Sequence, residues 1–244
     1  MEHGIFNLKE RIQSGETIIG VSLPPENAIT YLDEISREKY YNFVAIDSQH
    51  RPINEEKLVD FCNKSNFLGI PVQLRIKHRK EYFLIGNILD LGVSMIEVPQ
   101  VENISNVKNS SREMNYPNQG RRSWGGNSRV CIEKFSDKFE YRNWWNQKSI
   151  LWAQLESINA INNALNYAEN GANIVSWGPN DLAFNIESNP YNSLKNDDDC
   201  VNNVLNQLSN SKTKLCMRTY GEKDITKYKS MGVSVFLDET ILVN

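Results

Sequence analysis

The 244-residue sequence lacks the features that mark several classes of protein. It contains no run of about 18 apolar residues, which argues against a membrane-spanning helix, and its polar N-terminal segment lacks the apolar core of a secretory signal peptide. Its net charge of −3 disfavours nucleic-acid binding through a broad basic surface. Its four cysteines are far apart and form no CxxC pair, which indicates free thiols in a reducing compartment such as the cytoplasm.

Short apolar runs, rich in β-branched and aromatic residues, alternate with amphipathic segments along the chain. The runs span residues 17–23, 42–47, 71–76, 94–99, 149–156, 173–177, 213–218 and 233–237. Nearly continuous apolar character is typical of parallel strands that are covered on both faces. The pattern predicts an α/β fold, a (β/α)8 TIM barrel that forms a single domain over residues 1–244. An open doubly wound sheet is the rival fold, but no GxGxxG motif follows the first strand.

Residues 103–148, between the fourth and fifth predicted strands, are too many for a simple connection. They include an aromatic cluster with Trp144 and Trp145, which we expect to be exposed and to favour association between copies of the chain. Long loops on a barrel are commonly functional, so we expect a loop insertion that forms a lid or contacts a partner.

Two acidic residues follow predicted strands: Glu156 closes the fifth apolar run, and Asp181 comes just after the sixth. Carboxyl ends of parallel strands share one face of a barrel, where active sites are built. Gln154 lies two residues before Glu156 and therefore points to the same side. Two such carboxylates can hold Mg²⁺ or Mn²⁺, with Co²⁺ also accepted, and leave coordination positions for substrate oxygens. The alternative is a pair of unrelated surface acids with salt-bridge partners.

Asp47 and His50 follow the second predicted strand as Asp-x-x-His. A histidine oriented by an aspartate can act as a general base near neutral pH, whereas the alternative is a loop histidine that caps a turn. Arg75 lies inside the third apolar run and requires an anionic partner there. That partner is either Glu97, in an ion pair inside the barrel, or a substrate carboxylate or enolate. Arg218 is a weaker candidate of the same kind.

The order and spacing of these residues resemble the HpcH/HpaI family of metal-dependent class II pyruvate aldolases. That family includes 4-hydroxy-2-oxoheptanedioate aldolases and 2-keto-3-deoxy sugar-acid aldolases. The similar segments follow in order along nearly the whole chain, at residues 43–52, 71–75, 89–99, 116–122, 154–156 and 178–182. The resemblance implies a barrel of the phosphoenolpyruvate/pyruvate type and a homo-oligomer that acts on small molecules.

The resemblance also implies roles for particular residues. Glu156 and Asp181 would bind the divalent metal, and Asp47 and His50 would transfer the proton. Arg75 would contact pyruvate and steady its enolate. Gln154, Gly178 and Asn180 would complete the substrate site. The implied reaction makes or cleaves a 4-hydroxy-2-oxo acid, giving pyruvate and an aldehyde through a metal-stabilised pyruvate enolate.

Gln49 is a departure from the resemblance, because the family usually has glutamate before the histidine. Two alternative functions therefore remain open. One is decarboxylation of an oxaloacetate-type acid at the same metal site, and the other is a catalytically degenerate binding barrel. The sequence leaves open which aldehyde and which metal are used.

Overall fold

The computed structural model of the protein describes residues 4–243. Eight parallel strands close into a barrel in sequence order, with β8 returning to pair with β1. They are β1 (Ile18–Leu23), β2 (Phe43–Asp47), β3 (Val72–Arg75), β4 (Met95–Val98), β5 (Ile150–Leu155), β6 (Ile174–Trp177), β7 (Lys214–Thr219) and β8 (Val235–Asp238). Each strand falls on one of the apolar runs, and the predicted (β/α)8 fold is confirmed.

Helices surround the barrel and connect its strands. They are α1 (Ile5–Gln13), α2 (Leu32–Glu38), α3 (Glu55–Phe67), α4 (Ile85–Asp90), α5 (Ile104–Met114), α6 (Lys138–Lys148), α7 (Ile158–Asn162), α8 (Ala164–Glu169), α9 (Pro179–Glu187), α10 (Asp197–Gln207), α11 (Glu222–Ser230) and α12 (Thr240–Val243). Short 3₁₀ helices lie at Ala28–Thr30, Arg79–Leu84 and Ile132–Lys134. Within residues 4–243, no helix is both long and apolar enough to cross a membrane.

The barrel interior is closely packed beside Gly20, which is in register with Phe43 on the neighbouring strand. The Phe43 ring is fully buried and packs edge-on against Trp152, with ring centroids 5.4 Å apart. A β-carbon at Gly20 would lie 2.1 Å from Phe43 Cζ. The absence of a side chain at Gly20 therefore makes room for the Phe43 ring.

We expect Gly20→Ala to lower the free energy of unfolding by about 1–3 kcal/mol, the typical cost of overpacking a core. Urea denaturation measures this change. Gly86→Ala is the control, because Gly86 lies in α4 and its added β-carbon would make only ordinary contact, 3.4 Å from Arg122 Cγ. Alanine is more favourable than glycine within a helix, so the control variant is expected to be as stable as the wild type or more stable. Equal stability of Gly20→Ala and the wild type would contradict the packing argument.

The segment 103–148 differs from the expected loop because helices form at both of its ends. Asn103 and Asn106 form a capping box that starts α5, and the Asp137 side chain accepts hydrogen bonds from the first turn of α6. Local capping of this kind satisfies the free N–H groups at a helix start. The irregular part is therefore confined to residues 115–137 and the short 3₁₀ helix within them.

That irregular part packs at the amino ends of the strands. Arg122 Nη2 donates to Asp90 Oδ1 at 2.7 Å, at the end of α4 that precedes β4. Ser149, just before β5, donates its hydroxyl to Asn115 Oδ1 at 2.9 Å. The expectation that this segment forms a lid over the site is wrong, because these contacts hold it at the opposite end of the barrel.

The Trp144–Trp145 pair is not an exposed patch. Trp145 is buried, with its Nε1 donating to the carbonyl oxygen of Met114 at 2.9 Å, and Trp144 is partly buried against Phe6 and Phe135. The two rings serve the packing of α6 against the body of the protein. They therefore give no support to an oligomer interface.

Candidate active site

A cleft of about 110 Å³ opens at the carboxyl ends of the strands. It brings together most of the site residues that the sequence suggests: His50, Arg75, Gln154, Glu156, Gly178, Asn180 and Asp181. Asp47 is hydrogen-bonded to Arg75 at the same end of the barrel. Sequence reasoning missed Tyr220 and Glu239, which also line the cleft. The sequence could have indicated both residues, because each comes just after a predicted strand, β7 or β8, and side chains at that position of a barrel lie at the active-site end.

Glu156 is buried and its Oε2 atom has no hydrogen-bond partner. Burial raises the pKa of Glu156 to about 7, and the neighbouring Asp181 carboxylate adds to this effect. Asp181 is exposed in the first turn of α9. Two adjacent carboxylates with an unpaired oxygen suit a hard divalent cation, which would neutralise both. Within residues 4–243, no group of three or more His, Cys, Asp or Glu side chains forms a larger metal cluster, so the fit rests on these two oxygen donors.

The absence of a side chain at Gly178 makes room for the Glu156 side chain. A β-carbon at Gly178 would lie 2.3 Å from Glu156 Cγ and 3.0 Å from Gln154 Nε2. The following Pro179 begins α9, where its lack of an N–H group costs nothing. The chain thus passes close to the carboxylate and turns into a helix, which carries Asp181 to the same cleft.

Arg75 forms a bidentate ion pair with Asp47. Arg75 Nε and Nη2 donate to the two Asp47 oxygens at 2.9 and 2.7 Å, and Nη1 donates to Gln154 Oε1 at 3.2 Å. Burial acts to raise the pKa of Asp47, but the Arg75 hydrogen bond and charge lower it below its ordinary value. Of the two partners that the sequence allowed for Arg75, Glu97 is not the one used, because Asp47 on the other neighbouring strand forms the ion pair instead.

Glu97 instead belongs to a buried network that includes Arg218, a residue that lines the cleft. It accepts hydrogen bonds from Gln73 Nε2 at 2.8 Å and from Arg218 Nη2 at 2.9 and 3.1 Å, and Ser176 also donates to it. Arg218 reaches Glu239 as well. Burial acts to lower the pKa of Arg218, but the Glu97 and Glu239 carboxylates raise it. Arg218 is therefore neutralised by protein groups.

His50 is exposed at the rim of the cleft. The expected orientation of His50 by Asp47 is not what the structure has. In the part of the chain that the structure describes, no hydrogen bond joins these two residues, because Asp47 Oδ1 accepts from Arg75 Nε and from the Gln49 backbone N–H. Asp47 thus orients Arg75, while the imidazole of His50 is free to face the cleft.

The fold and cleft define a (β/α)8 barrel with a carboxylate pair and a fixed arginine at its carboxyl end. The sequence profile of the HpcH/HpaI aldolase/citrate lyase family matches residues 26–205. Because this match covers most of the chain, the protein belongs to the HpcH/HpaI aldolase/citrate lyase family. The resemblance that the sequence motifs suggested is confirmed.

Two curated relatives illustrate the similarity. The 2-keto-3-deoxy-L-rhamnonate aldolase of Shigella boydii serotype 4 (strain Sb227) is 27% identical over 180 residues, which cover 73% of this chain and 66% of that protein. The hydroxypyruvate/pyruvate aldolase of Pseudomonas aeruginosa is 26% identical over 186 residues, or 75% and 67% of the two chains. The match to the Shigella protein thus spans slightly less than two thirds of its length.

Solved structures share the fold over almost the whole chain. The HpcH/HpaI aldolase of Desulfitobacterium hafniense DCB-2 superposes with a TM-score of 0.82 at 19% identity, covering 95% of this chain and 89% of that one. The citrate synthase SbnG gives a TM-score of 0.78 at 20% identity, with coverage of 98% and 93%. At these identities, the structures show the common barrel only.

Proposed function

We propose that this protein is a divalent-metal-dependent carbon–carbon lyase, a class II aldolase. It would make or cleave a 4-hydroxy-2-oxo acid, with pyruvate and an aldehyde as the other partners of the reaction. The observation that carries the proposal is the convergence of Glu156, with its unpaired buried oxygen, and Asp181 beside the fixed Arg75. The family match and the aldolase relatives support the same chemistry.

Glu156 and Asp181 would hold Mg²⁺, Mn²⁺ or Co²⁺, since hard oxygen ligands accept each of these ions. When bound, such a cation supplies a Lewis acid that stabilises negative charge on the keto oxygen of pyruvate. Glu156 must be a carboxylate to bind a cation, and its raised pKa places that ionisation near neutral pH. The positive charge of a bound cation would therefore stabilise the ionised form of Glu156.

Arg75 would bind pyruvate and offset charge that develops on its enolate. A guanidinium group has five N–H donors, and the three hydrogen bonds to Asp47 and Gln154 leave two for a ligand. Asp47 and Gln154 fix the plane of the group before substrate arrives, which reduces the reorganisation needed during the reaction. Gly178 and the backbone N–H groups of Asn180 and Asp181, at the start of α9, would face the pyruvate carboxylate.

His50 would transfer the proton at the hydroxyl group of the bond being cleaved. A neutral imidazole has one nitrogen that accepts a proton and one that donates a proton, so the same side chain can act as base and acid in turn. Asp47 is paired with Arg75 and has a lowered pKa, so it would remain a carboxylate and act by positioning Arg75. This refines the proposed Asp47–His50 pair: the histidine carries the proton, and the aspartate holds the arginine.

Exchange of the pyruvate methyl protons in D₂O, followed by NMR, tests the proposal. We expect exchange to require Mg²⁺, Mn²⁺ or Co²⁺ and to stop when a chelator is added, because enolisation is the first half of the aldol reaction. Absence of exchange with each of the three metals would show that pyruvate is not the nucleophile. The proposed aldolase would then be rejected.

The proposal also covers the cellular compartment and the oligomeric state of the protein. The four cysteines are buried and free, which agrees with a reducing compartment such as the cytoplasm. Self-association into a homo-oligomer remains part of the proposal, and sedimentation velocity of the purified protein tests it.

A further inference from the structure

The proposed aldol chemistry moves two protons, and the role given to His50 covers only one of them. His50 would carry the proton of the hydroxyl group at the bond that breaks. The other proton leaves the methyl group of pyruvate when the enolate forms, and it returns to that carbon after cleavage. Proton transfer to a positioned side chain accelerates such a step by about 10²- to 10⁴-fold, so we expect a second proton acceptor in the cleft.

Three carboxylates line the cleft among the residues that the structure describes, and they differ in their surroundings. Glu156 and Asp181 form the pair proposed to hold the divalent cation, which would occupy their oxygens. Asp47, next to the cleft, has both of its oxygens paired with Arg75. Glu239 is the third carboxylate of the cleft, and it belongs neither to the metal pair nor to this ion pair. It is therefore the carboxylate that remains available as a base.

Glu239 is held in place by residues in β7 and just after it. Its backbone N–H donates to the carbonyl oxygen of Thr219 at 2.8 Å. Its Oε1 accepts from Arg218 Nη1 at 2.5 Å, and its Oε2 accepts from the hydroxyl group of Tyr220 at 3.1 Å. A carboxylate has about four lone-pair sites on its two oxygens, so each oxygen keeps a site for a proton. The side chain is thus fixed in direction while it can still accept a proton from a ligand.

Glu239 shares its guanidinium partner with a second carboxylate. Arg218 Nη2 donates to the two Glu97 oxygens at 2.9 and 3.1 Å, so two carboxylates divide one positive charge. Asp47, by contrast, forms a bidentate pair with Arg75. An adjacent positive charge disfavours protonation of a carboxylate. Because Glu239 has only a share of such a charge, it keeps more affinity for a proton than Asp47 does.

The position of Glu239 in the cleft suits the methyl group of pyruvate. Arg75 lies at the end of β3, and the proposed metal ligands follow β5 and β6. These groups would take the keto oxygen and the carboxylate of pyruvate. The methyl group is the remaining substituent of the keto carbon, so it would face the part of the wall that these groups leave open. Tyr220 and Glu239, which follow β7 and β8, form a portion of that wall.

We propose that Glu239 is the general base that removes the methyl proton of pyruvate, with Arg218 and Tyr220 as its positioning residues. This assignment rests on the proposed aldolase function. In enolisation the C–H bond breaks and its proton goes to a Glu239 oxygen. The electron pair of that bond becomes the C=C bond of the enolate, and the π pair of the keto group moves onto the keto oxygen. After cleavage the same proton transfer runs in reverse, and exchange with water resets the carboxyl group.

Glu239→Gln is expected to lower Mn²⁺-dependent exchange of pyruvate methyl protons in D₂O by about 10³-fold, within the range for loss of a general base. Glutamine keeps the size of the side chain and an oxygen for Arg218, but it cannot take up the proton. The affinities for Mn²⁺ and for pyruvate, measured by titration calorimetry, should change little, because Glu239 holds neither. Glu239→Asp returns a carboxylate and should recover part of the lost rate.

Tyr220→Phe tests the positioning of the base. It removes one of the two side-chain hydrogen bonds of Glu239, so exchange should fall by up to about 10-fold, as for one hydrogen bond of ordinary strength. The affinity for pyruvate should stay unchanged. Glu222→Gln is the matched control, because Glu222 is an exposed acid in the first turn of α11, and it should leave the exchange rate unchanged.

The exchange rate and the two affinities together separate the possible failures. Normal exchange in Glu239→Gln, with exchange present in the wild type, would overturn the assignment of the base alone. An equal loss of exchange and of affinity for Mn²⁺ or pyruvate would also overturn it, because Glu239 would then act through the structure of the site. Absence of exchange in the wild type would overturn the proposed function and the assignment of the base with it.

Discussion

Replacement of Glu156 by glutamine is expected to lower metal-dependent exchange of pyruvate methyl protons by about 10³-fold. Glutamine keeps the size of the side chain but removes one of the two carboxylates, and Asp181 alone cannot hold a divalent cation firmly. The loss corresponds to the several kcal/mol of charge stabilisation that a bound cation provides. NMR in D₂O measures exchange, and titration calorimetry with Mn²⁺ measures the accompanying loss of affinity.

Glu169→Gln is the matched control, because Glu169 is an exposed acid at the end of α8. It should leave both exchange and Mn²⁺ affinity within about twofold of the wild type, as for surface substitutions generally. Undiminished exchange in Glu156→Gln would remove Glu156 from the metal site and with it the main support for the proposed function.

Glu156→Gln is also expected to stabilise the metal-free protein. The folded-state pKa of Glu156 is about 7, above its ordinary value of 4.5, so the folded state holds this proton more tightly than the unfolded state. Stability is therefore lost as pH rises from about 4.5 to about 7, by up to about 3 kcal/mol. Glu156→Gln should flatten this dependence in urea denaturation at a series of pH values. An unchanged pH profile would contradict the raised pKa.

Arg75→Lys is expected to lower the exchange rate at saturating pyruvate by about 10²-fold, the typical cost of losing one preorganised donor. Lysine keeps the positive charge, but a single ammonium group cannot pair with both Asp47 oxygens and also reach Gln154. The charge that faces the enolate therefore loses its fixed direction. Exchange kinetics over a range of pyruvate concentrations separate this loss from weaker binding.

Arg51→Lys provides the control, since Arg51 pairs with the exposed Glu26 at 3.3 Å and such surface pairs contribute little. Asp47→Asn tests the same argument from the other partner, because it removes the charge that orients Arg75. If the two residues act as one unit, the double variant should lose less than the sum of the single losses in free energy. Additive losses would show that Asp47 and Arg75 act independently.

The sequence by itself determined the fold and the end of the barrel at which the site lies. Nearly continuous apolar runs are what strands covered on both faces require, so strands β1 to β8 fall where those runs occur. In a parallel barrel, all carboxyl ends meet at one face. Because Glu156 and Asp181 follow the neighbouring strands β5 and β6, the sequence alone placed the two carboxylates close together.

Only the tertiary structure decided how charges pair and where the irregular segment lies. Asp47 and Glu97 flank Arg75 in register on its two neighbouring strands, so local sequence does not distinguish them. Arg218, 121 residues further along the chain, neutralises Glu97 and leaves Asp47 to Arg75. Arg122 likewise holds its segment away from the cleft by pairing with Asp90. These choices depend on contacts between residues far apart in the chain, which no local pattern encodes.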